Sequence, residues 1–322
     1  MKAVLCLGFG ACFILVAQIP DAHAAFPERP IRVLVGFPPG SQPDFVARLF
    51  AEKFSRAWGQ PVVVDNVPGA AGNISAERVA KAAPNGYTLG LLGQGPIVIN
   101  PSLYKLAYDP VKDLVPISQV YFSPTLLVVH NAVAAIDLRE LVALAKARPG
   151  TLTYASGGIG GASHMAAELF KAAAGVDIRH IPYRGTVAAI TDLISGRVSM
   201  MLSPTADVLA LVREGKLRAL AVTSSSRSSA APQLPTIAES GYPGFEFTVW
   251  QGFFAPAQIS AEIVGKIQRE TVKDLALPDL RARLADLGLE GIGNSSEQFS
   301  AIIRSQAPQW AKVIREAKIR PD

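Results

Sequence analysis

The sequence predicts an α/β protein of two similarly wound lobes, each a mainly parallel sheet flanked by helices. Short β-branched or apolar runs alternate with helical periods from residue 31 onward, which is typical of strand–helix–strand units. The second half of the chain repeats the order of the first. Two long strand-like runs, residues 117–129 and 245–256, lie where the chain would cross between the lobes.

The first lobe is predicted to begin with a strand over residues 31–37 and a Pro- and Gly-containing loop over 38–43. A helix follows from Asp44 to about Trp58, and Gly59 ends it. The next strand, helix and strand are expected at residues 62–64, 75–83 and 87–92.

The second lobe is predicted to follow the same order. A strand around residues 152–156 leads into a glycine-rich loop at 157–163, and a helix from His164 to about Ala174 ends before Gly175. The next strand, helix and strand are expected at residues 177–181, 187–195 and 198–202, and the last of them leads into Ser203-Pro-Thr205.

The two crossing runs imply a hinge and a ligand cleft between the lobes. Pro124 would interrupt a central ladder, which favours a chain that leaves one sheet for another. Only helical periods follow the second run, so we expect them to pack back on the first lobe. The predicted lobe limits are 25–122 plus 250–322 for lobe 1 and 123–249 for lobe 2.

Residues 1–24 are predicted to be a secretory signal peptide, because a basic start precedes a short apolar stretch and Ala22-His23-Ala24. Both cysteines, Cys6 and Cys12, lie in this segment. The exported chain would therefore have no disulfide, thiol nucleophile or cysteine metal ligand. We expect a periplasmic protein with a thinly spread net charge of +5.

The glycine-rich loops do not fit a nucleotide site. The third glycine of a dinucleotide fingerprint that begins at Gly158 would fall on Ser163, and no lysine follows as in a P-loop. No cofactor is predicted.

Enzymatic and metal chemistry are also disfavoured. The sequence Gly161-Ala-Ser163-His164-Met165 has methionine where a nucleophile elbow needs glycine, and Ser163 is interpreted as a helix cap. His130, His164 and His180 have no helical metal-ligand spacing. No enzyme and no metal site are predicted.

The loops can instead bind an anion. The first amides of a helix lack partners within the helix and carry the positive end of its dipole, so a glycine-rich turn lets a carboxylate approach them. The loops at 38–43 and 157–163 would face each other across the cleft. The alternative is that these glycines only shape tight turns.

Single residues remain open to two interpretations. Asp44 either stabilises a helix dipole or contacts ligand, Trp250 either lines the cleft or wedges the hinge, and Arg184 either pairs with an anion or is solvated. The basic stretch at 312–320 has helical spacing and is a solvated face, so no nucleic-acid partner is expected. We expect a monomer.

Motifs along the whole mature chain resemble those of the Bug receptors, the extracytoplasmic solute-binding proteins of tripartite tricarboxylate transporters. The matching motifs include Phe26-Pro-Glu-Arg-Pro-Ile-Arg, Phe37-Pro-Pro-Gly40, Pro68-Gly-Ala-Ala-Gly-Asn-Ile74, Ala83-Pro-Asn-Gly-Tyr87, Tyr108-Asp-Pro-Val-Lys-Asp113, Ser163-His164, Ile181-Pro-Tyr183 and Leu234-Pro-Thr236.

The resemblance implies a type II-like periplasmic binding protein that closes on a small organic acid and delivers it to a membrane permease. A ligand-sensing receptor without a permease and a secreted hydrolase are the alternatives. The ligand-binding residues carried over by position are Phe37, Pro38, Gly40, Ser41, Asp44, Asn73, Gln94, Gly95, Ser156, Gly157, Gly158, Gly160, Ser163, His164, Tyr183, Arg184, Ser203 and Thr205. Trp250 is added to them from its place on the second crossing run.

Departures from the family pattern fall inside these loops. The chain has Gly40-Ser-Gln-Pro-Asp44 where Gly-Gly-Pro-Thr-Asp is common, and Gln94-Gly-Pro-Ile97 after the third strand. Ser203-Pro204 stands where an acidic residue often follows the strand. An ammonium group would lose a partner there, which favours a carboxylate with an uncharged or apolar body over an amino acid.

Overall fold

The computed structural model describes residues 26–183, 185–317 and 319–320. The predicted signal peptide and Arg184 therefore lie outside the described residues. Within them, strands and helices alternate as expected for an α/β protein.

The first sheet has three parallel strands at one edge, in the order β2-β1-β3. Helix α1 begins close to the predicted residue and ends at Gly59, whose left-handed backbone (φ 66°) directs its N–H to Ser55 O. The elements are β1 Ile31–Val35, α1 Gln42–Trp58, β2 Val62–Asn66, α2 Asn73–Ala80 and β3 Thr88–Gly93. Short helical turns follow at Ala70–Gly72, Gly95–Ile99 and Asn100–Ser102.

The second sheet repeats this arrangement with parallel strands in the order β6-β5-β7. All five strands and helices predicted for this half are present within a few residues of their expected limits. The elements are α3 Leu138–Ala147, β5 Thr153–Ser156, α4 Ala162–Ala174, β6 Arg179–Pro182, α5 Thr186–Ile194, β7 Met200–Pro204, α6 Thr205–Arg213 and β8 Leu217–Val222.

Two long antiparallel strands connect the sheets, β4 Leu114–His130 and β9 Thr248–Pro256. Strand β4 pairs with β9 as far as Pro124 and with β7 and β8 from Thr125 onward. The change of partner thus falls at the proline that the sequence singled out, and the strand continues through it. The residue limits of the two lobes remain a prediction.

The C-terminal helices cover the first sheet. Helix α7 Ala261–Leu275 packs against α1, and α9 Ser296–Glu316 packs against β4. Helix α8 Pro278–Asp286 and a two-residue strand, β10 Glu290–Gly291, lie between them. No helix among the described residues is long and apolar enough to cross a membrane.

Aromatic side chains fill the cores on both sides of the crossing strands. Trp58 stacks on Phe54, with ring centroids 4.5 Å apart, and Trp310 meets Phe247 edge-on at 5.6 Å. Both tryptophans are therefore packing residues.

Candidate ligand-binding site

The predicted ligand loops lie at the carboxyl ends of the parallel strands, where α/β proteins of this kind bind ligands. Strand β1 leads into the turn before α1, and β5 leads into the glycine-rich turn before α4. We call residues 36–41 the first loop and residues 157–161 the second loop.

The first loop is held by Asp44. Its carboxylate accepts hydrogen bonds from the Gly40 N–H (2.8 Å) and the Asn66 amide (2.9 Å), and it pairs with Arg48 (2.9 Å). Asn66 also donates to Phe37 O at 3.0 Å. The Asp44 carboxylate is therefore bonded within its own loop.

Burial alone would raise the pKa of Asp44, but hydrogen bonds from Arg48, Gly40 and Asn66 outweigh it and hold that pKa below its usual value. The residue is 3% exposed and stays ionised at neutral pH. Of the two interpretations of Asp44, the structure favours a residue that stabilises the loop and the helix dipole over one that contacts an ammonium group.

The neighbouring donors of the first loop are also used internally. The Ser41 hydroxyl donates to Pro38 O at 2.6 Å, and Pro43 has no N–H to offer. The first loop thus provides fewer free hydrogen-bond donors for an anion than its glycine and its place before a helix predict.

The second loop is packed tightly against the turn that follows β6. The Tyr183 N–H donates to Ser156 O (2.9 Å), and the Gly185 N–H donates to Gly157 O (3.0 Å). A Cβ atom at Gly157 would lie 2.9 Å from Thr186 Oγ1, so only glycine fits there.

Helix α4 begins at Ala162, and its N-cap is Gly161 rather than Ser163. The interpretation of Ser163 as a helix cap is therefore wrong, because Gly161 takes the extended backbone conformation and Ser163 lies one residue inside the helix. Ser163 is 5% exposed and lies in the first turn, next to the free amides of the helix start.

Two stacked histidines lie behind the second loop. The rings of His164 and His180 are 4.1 Å apart and nearly parallel (7°), and Tyr154 stacks on His180 at 4.6 Å. The Gly160 N–H donates to His164 Nδ1 at 2.9 Å, and Ser156 Oγ lies 2.7 Å from His180 Nε2. Because Nδ1 of His164 accepts a hydrogen bond, the neutral ring carries its proton on Nε2.

Burial keeps both imidazoles neutral. It lowers the pKa of His164, while Glu168 and Lys171 act on that ring in opposite directions. Burial and the nearby His164 lower the pKa of His180 to about 4.

This geometry also excludes the nucleophile–base pair considered for Ser163 and His164. His164 Nδ1 is occupied by the Gly160 amide, and among the described side chains no hydrogen bond joins Ser163 to a histidine. The same residues cannot form a metal centre, because the described part of the chain gathers no group of three metal-ligating side chains.

The hydroxyl and the backbone N–H of Tyr183 are engaged within the second half of the chain. The hydroxyl donates to Asp192 at 2.8 Å, and Asp192 pairs with Arg197. The Tyr183 hydroxyl is thus engaged by Asp192 on α5, and a ligand contact of Tyr183 stays a prediction.

Asn73, Gly95 and Asn100 form a third group on the first sheet. Asn73 Oδ1 accepts a hydrogen bond from Asn100 at 2.7 Å, and a longer contact joins it to the Tyr108 hydroxyl at 3.5 Å. Because its oxygen is engaged, the Asn73 amide N–H groups remain as donors. Gln94 is buried beside these residues, at the end of β3.

The predicted residues at the end of β7 lie against the crossing strand. The Thr205 hydroxyl donates to Pro124 O at 2.8 Å, whereas Ser203 Oγ is buried without a partner among the described residues. Thr205 therefore ties α6 to the strand crossing, and Ser203 keeps an unused hydroxyl.

Trp250 does not line a ligand cleft. Its indole is fully buried (0% exposed), its Nε1–H donates to Gln306 at 2.9 Å, and Phe299 packs edge-on against it at 5.1 Å. The ligand contact expected of Trp250 is corrected, because the position on β9 faces the helix α9 side of the sheet.

The two halves of the molecule touch beside these loops. A Cβ atom built on Gly160 would lie 3.4 Å from Leu103 Cδ1, and one built on Gly288 would lie 3.4 Å from Ala206 N. Leu103 follows a turn after β3, and Ala206 is in the first turn of α6. The second loop thus lies close to the opposite half at Gly160.

Sequence reasoning missed the residues that hold the loops in place, notably Arg48, Asn66, Asn100, Tyr154 and His180. Tyr154 and His180 are register neighbours in β5 and β6, and this pairing is not visible in one sequence. The other partners give no sequence pattern.

The fold and these loops define a two-sheet solute-binding protein. A family model described as the tripartite tricarboxylate transporter family receptor, TctC, matches residues 46–319. The protein BugT of Bordetella pertussis is 36% identical over 308 residues, which cover 94% of this chain and 94% of that protein.

Solved structures agree. A protein from R. palustris with adipate matches with a TM-score of 0.77 at 33% identity and covers 92% of this chain and 100% of its own. MatC from Rhodopseudomonas palustris with bound malate matches with a TM-score of 0.73 at 32% identity, over 90% of this chain and 100% of that one.

The chain belongs to the TctC, or Bug, family of tripartite tricarboxylate transporter receptors. This is a family of periplasmic binding proteins and not of enzymes. The predicted family, the periplasmic binding protein fold and the absence of an enzymatic role are confirmed, and the hydrolase alternative is excluded.

Proposed function

We propose that this receptor captures a small organic carboxylate between its two sheets and delivers it to the membrane permease of a tripartite tricarboxylate transporter. The observation that carries the proposal is the family match over residues 46–319, together with relatives of the same fold that were solved with adipate and malate. A sensing receptor without a permease would bind the same ligand.

The donors at the loops support a carboxylate. The first amides of α4, which include that of Ser163, have no partner within the helix and carry the positive end of its dipole. The Asn73 amide supplies donors from the first sheet, since its oxygen is engaged by Asn100. Donors from both sheets would let a ligand with two carboxylates bridge them.

The described acidic groups support a ligand without an ammonium group. Both Asp44 oxygens are engaged by Gly40, Arg48 and Asn66, so Asp44 is not free to pair with an ammonium. Ser203 and Pro204 are uncharged and stand where the resemblance to the Bug receptors implies an acidic residue. We therefore favour a dicarboxylate with a hydroxylated or apolar body.

We further propose that the sheets belong to two lobes, residues 25–122 with 250–322 and residues 123–249, which move about β4 and β9. The change of partner at Pro124 and the buried bond from Thr205 to Pro124 O support a hinge there. The predicted export signal would place the receptor in the periplasm.

Thermal shift measurements with malate and aspartate test the ligand class, because the two differ by a hydroxyl in place of an ammonium group. We expect malate and adipate to raise the melting temperature by several degrees and aspartate to leave it unchanged. Stabilisation by amino acids alone would exclude the proposed ligand class.

A matched pair of variants tests the site. Asn73→Asp keeps the shape but replaces the donors with a negative charge, and we expect it to abolish the shift. Asn85→Asp, in the turn before β3, makes the same change away from the loops and should keep the shift.

Loss of labelled malate uptake on deletion of the receptor would separate transport from sensing.

A further inference from the structure

The second loop is held by the two stacked histidines, not by charges. Gly160 donates its N–H to His164 Nδ1 at 2.9 Å. Gly158 donates its N–H to Ser156 Oγ at 3.2 Å, and Ser156 Oγ lies 2.7 Å from His180 Nε2. Two amides of the loop are therefore hydrogen-bonded to the imidazole pair, that of Gly160 directly and that of Gly158 through Ser156 Oγ.

The charged and titratable groups that face the pair come from β5 and α4. The Tyr154 hydroxyl donates to Glu168 at 2.5 Å, and the Lys171 ammonium pairs with the same carboxylate at 2.7 Å. Lys171 also lies 5.5 Å from the centre of the Tyr154 ring. Strand β7 contributes the uncharged Met200 beside Tyr154. Glu168 and Lys171 offset each other, so burial decides that the rings are neutral.

We propose that His164 and His180 are positioning residues of the ligand site, which hold the second loop only as a neutral pair, so that acidification weakens ligand binding. The inference rests on the proposed function of the same loop. It adds that protonation of the histidines is what weakens ligand binding at this site.

The geometry gives the reason. A proton on His164 Nδ1 would remove the acceptor of the Gly160 N–H and leave that amide without its partner. A proton on His180 would place a cation 4.1 Å from the face of His164 in a buried site. Either event works against the observed loop conformation.

The position of Gly160 matters for closure as well. The loop meets Leu103 of the opposite half at this glycine, where a Cβ would lie 3.4 Å from Leu103 Cδ1. If the loop were released from His164, its free amides would no longer lie beside the start of α4. The loop would also move away from Leu103. Ligand affinity and closure therefore depend on the same hydrogen bond.

The first experiment measures malate and adipate affinity by calorimetry from about pH 7 to about pH 4.5 for the wild type, His164→Asn and His130→Asn. Asparagine can accept the Gly160 N–H near the place of Nδ1 but does not titrate in this range. Each protein is compared with its own affinity at neutral pH.

We expect the wild type to lose about tenfold more affinity than His164→Asn, which corresponds to about one competent loop in ten at the acid end. Protonation of the ligand affects all three proteins equally and cancels in the comparison. His130 Nδ1 also accepts a backbone N–H, that of Ala132 at 3.2 Å, but lies away from the loops, so His130→Asn should follow the wild type. Equal acid losses in the wild type and His164→Asn would overturn the proposal.

The second experiment needs neither a ligand nor a substitution. The Gly160 amide resonance of the free wild-type protein is followed by NMR over the same pH range. We expect its shift to follow the imidazole titration and its hydrogen exchange to accelerate on acidification beyond the trend of the other loop amides. A Gly160 amide that ignores the histidines would also overturn the proposal.

The two experiments separate the two levels of inference. A wild type that binds no carboxylate at neutral pH overturns the proposed ligand class, while the Gly160 resonance still decides whether the histidines control the loop. A wild type that binds malate with an acid response equal to that of His164→Asn leaves the proposed function standing and removes the histidine inference.

Discussion

The two loops that follow β1 and β5 occupy equivalent places in the two sheets but are held by different chemistry. The first loop depends on an ionised carboxylate, Asp44, which is bonded to Arg48, Asn66 and Gly40. The second depends on two neutral rings, His164 and His180, which accept from Gly160 and contact Ser156. Equivalent positions in a repeated fold therefore do not imply equivalent electrostatics.

The difference determines how each loop responds to acid. The Asp44 pKa lies below its usual value of 3.8, so the stability that this carboxylate contributes is complete above that value and is lost as the pH falls from it through the lowered pKa. The imidazole pair has lowered pKa values as well, but a histidine starts from about 6.5. Mild acid therefore acts on the second loop first.

Removing the charge from the first loop should have the largest effect. We expect Asp44→Ala to lower the free energy of unfolding by about 2–3 kcal/mol, because it leaves Arg48, Asn66 and the Gly40 amide without their shared acceptor. Urea unfolding at pH 7 measures the change.

The matched control is Asp65→Ala, which removes a carboxylate paired with Arg32 on the surface of the same sheet. An exposed pair of this kind contributes about 0.2–1 kcal/mol. Equal losses of unfolding free energy in the two variants would mean that Asp44 contributes no more than an exposed surface charge. The first loop would then not depend on its carboxylate.

A smaller effect should distinguish the loops by pH. As the pH falls below about 6.5, the unfolded chain binds protons on its histidines before the folded chain does, so stability is lost down to the folded pKa, which is about 4 for His180. Between about pH 6.5 and about pH 5 the wild type should lose more of its free energy of unfolding than His164→Asn, because the variant lacks the imidazole whose pKa folding lowers.

Asp44→Ala should show the wild-type slope over the same range, because the Asp44 carboxylate stays ionised throughout it. Urea midpoints at several pH values measure both slopes. A flatter slope for Asp44→Ala than for His164→Asn would reverse the assignment of the acid-sensitive loop.

The sequence predicted where the loops lie but not how they are held. Glycine and proline fix turns locally, so the turns after β1 and β5 were found at the expected residues. The side chains that hold them come from far along the chain: Asn66 is 22 residues from Asp44, and His180 is 24 residues from Ser156. Such pairs depend on strand register, which one sequence does not reveal.

Two errors have local physical causes. Serine favours the N-cap position, which predicts Ser163 as the cap, but the glycine two residues earlier adopts the extended conformation that an N-cap requires. Trp250 lies on a strand that is buried on both faces, so alternation could not tell which face its side chain occupies.

The smallest expected effect concerns Ser163 itself. Because Gly161 caps α4, Ser163→Ala should change the free energy of unfolding by less than about 0.5 kcal/mol. Ser260→Ala is the matched control: the Ser260 side chain accepts the Ile263 N–H at the start of α7, and its loss should cost about 1 kcal/mol.

Ligand affinity should rank the two serine variants in the opposite order. We expect Ser163→Ala to weaken malate binding by about five- to tenfold, as for the loss of one hydrogen bond, because the Ser163 side chain lies in the first turn of α4 beside the free amides. Ser260→Ala lies outside the loops and should bind malate as the wild type does. A Ser163→Ala variant that loses as much free energy of unfolding as Ser260→Ala but binds malate like the wild type would contradict this prediction. In that case the Ser163 hydroxyl supports the helix, and the imidazoles are not the only groups that hold the second loop.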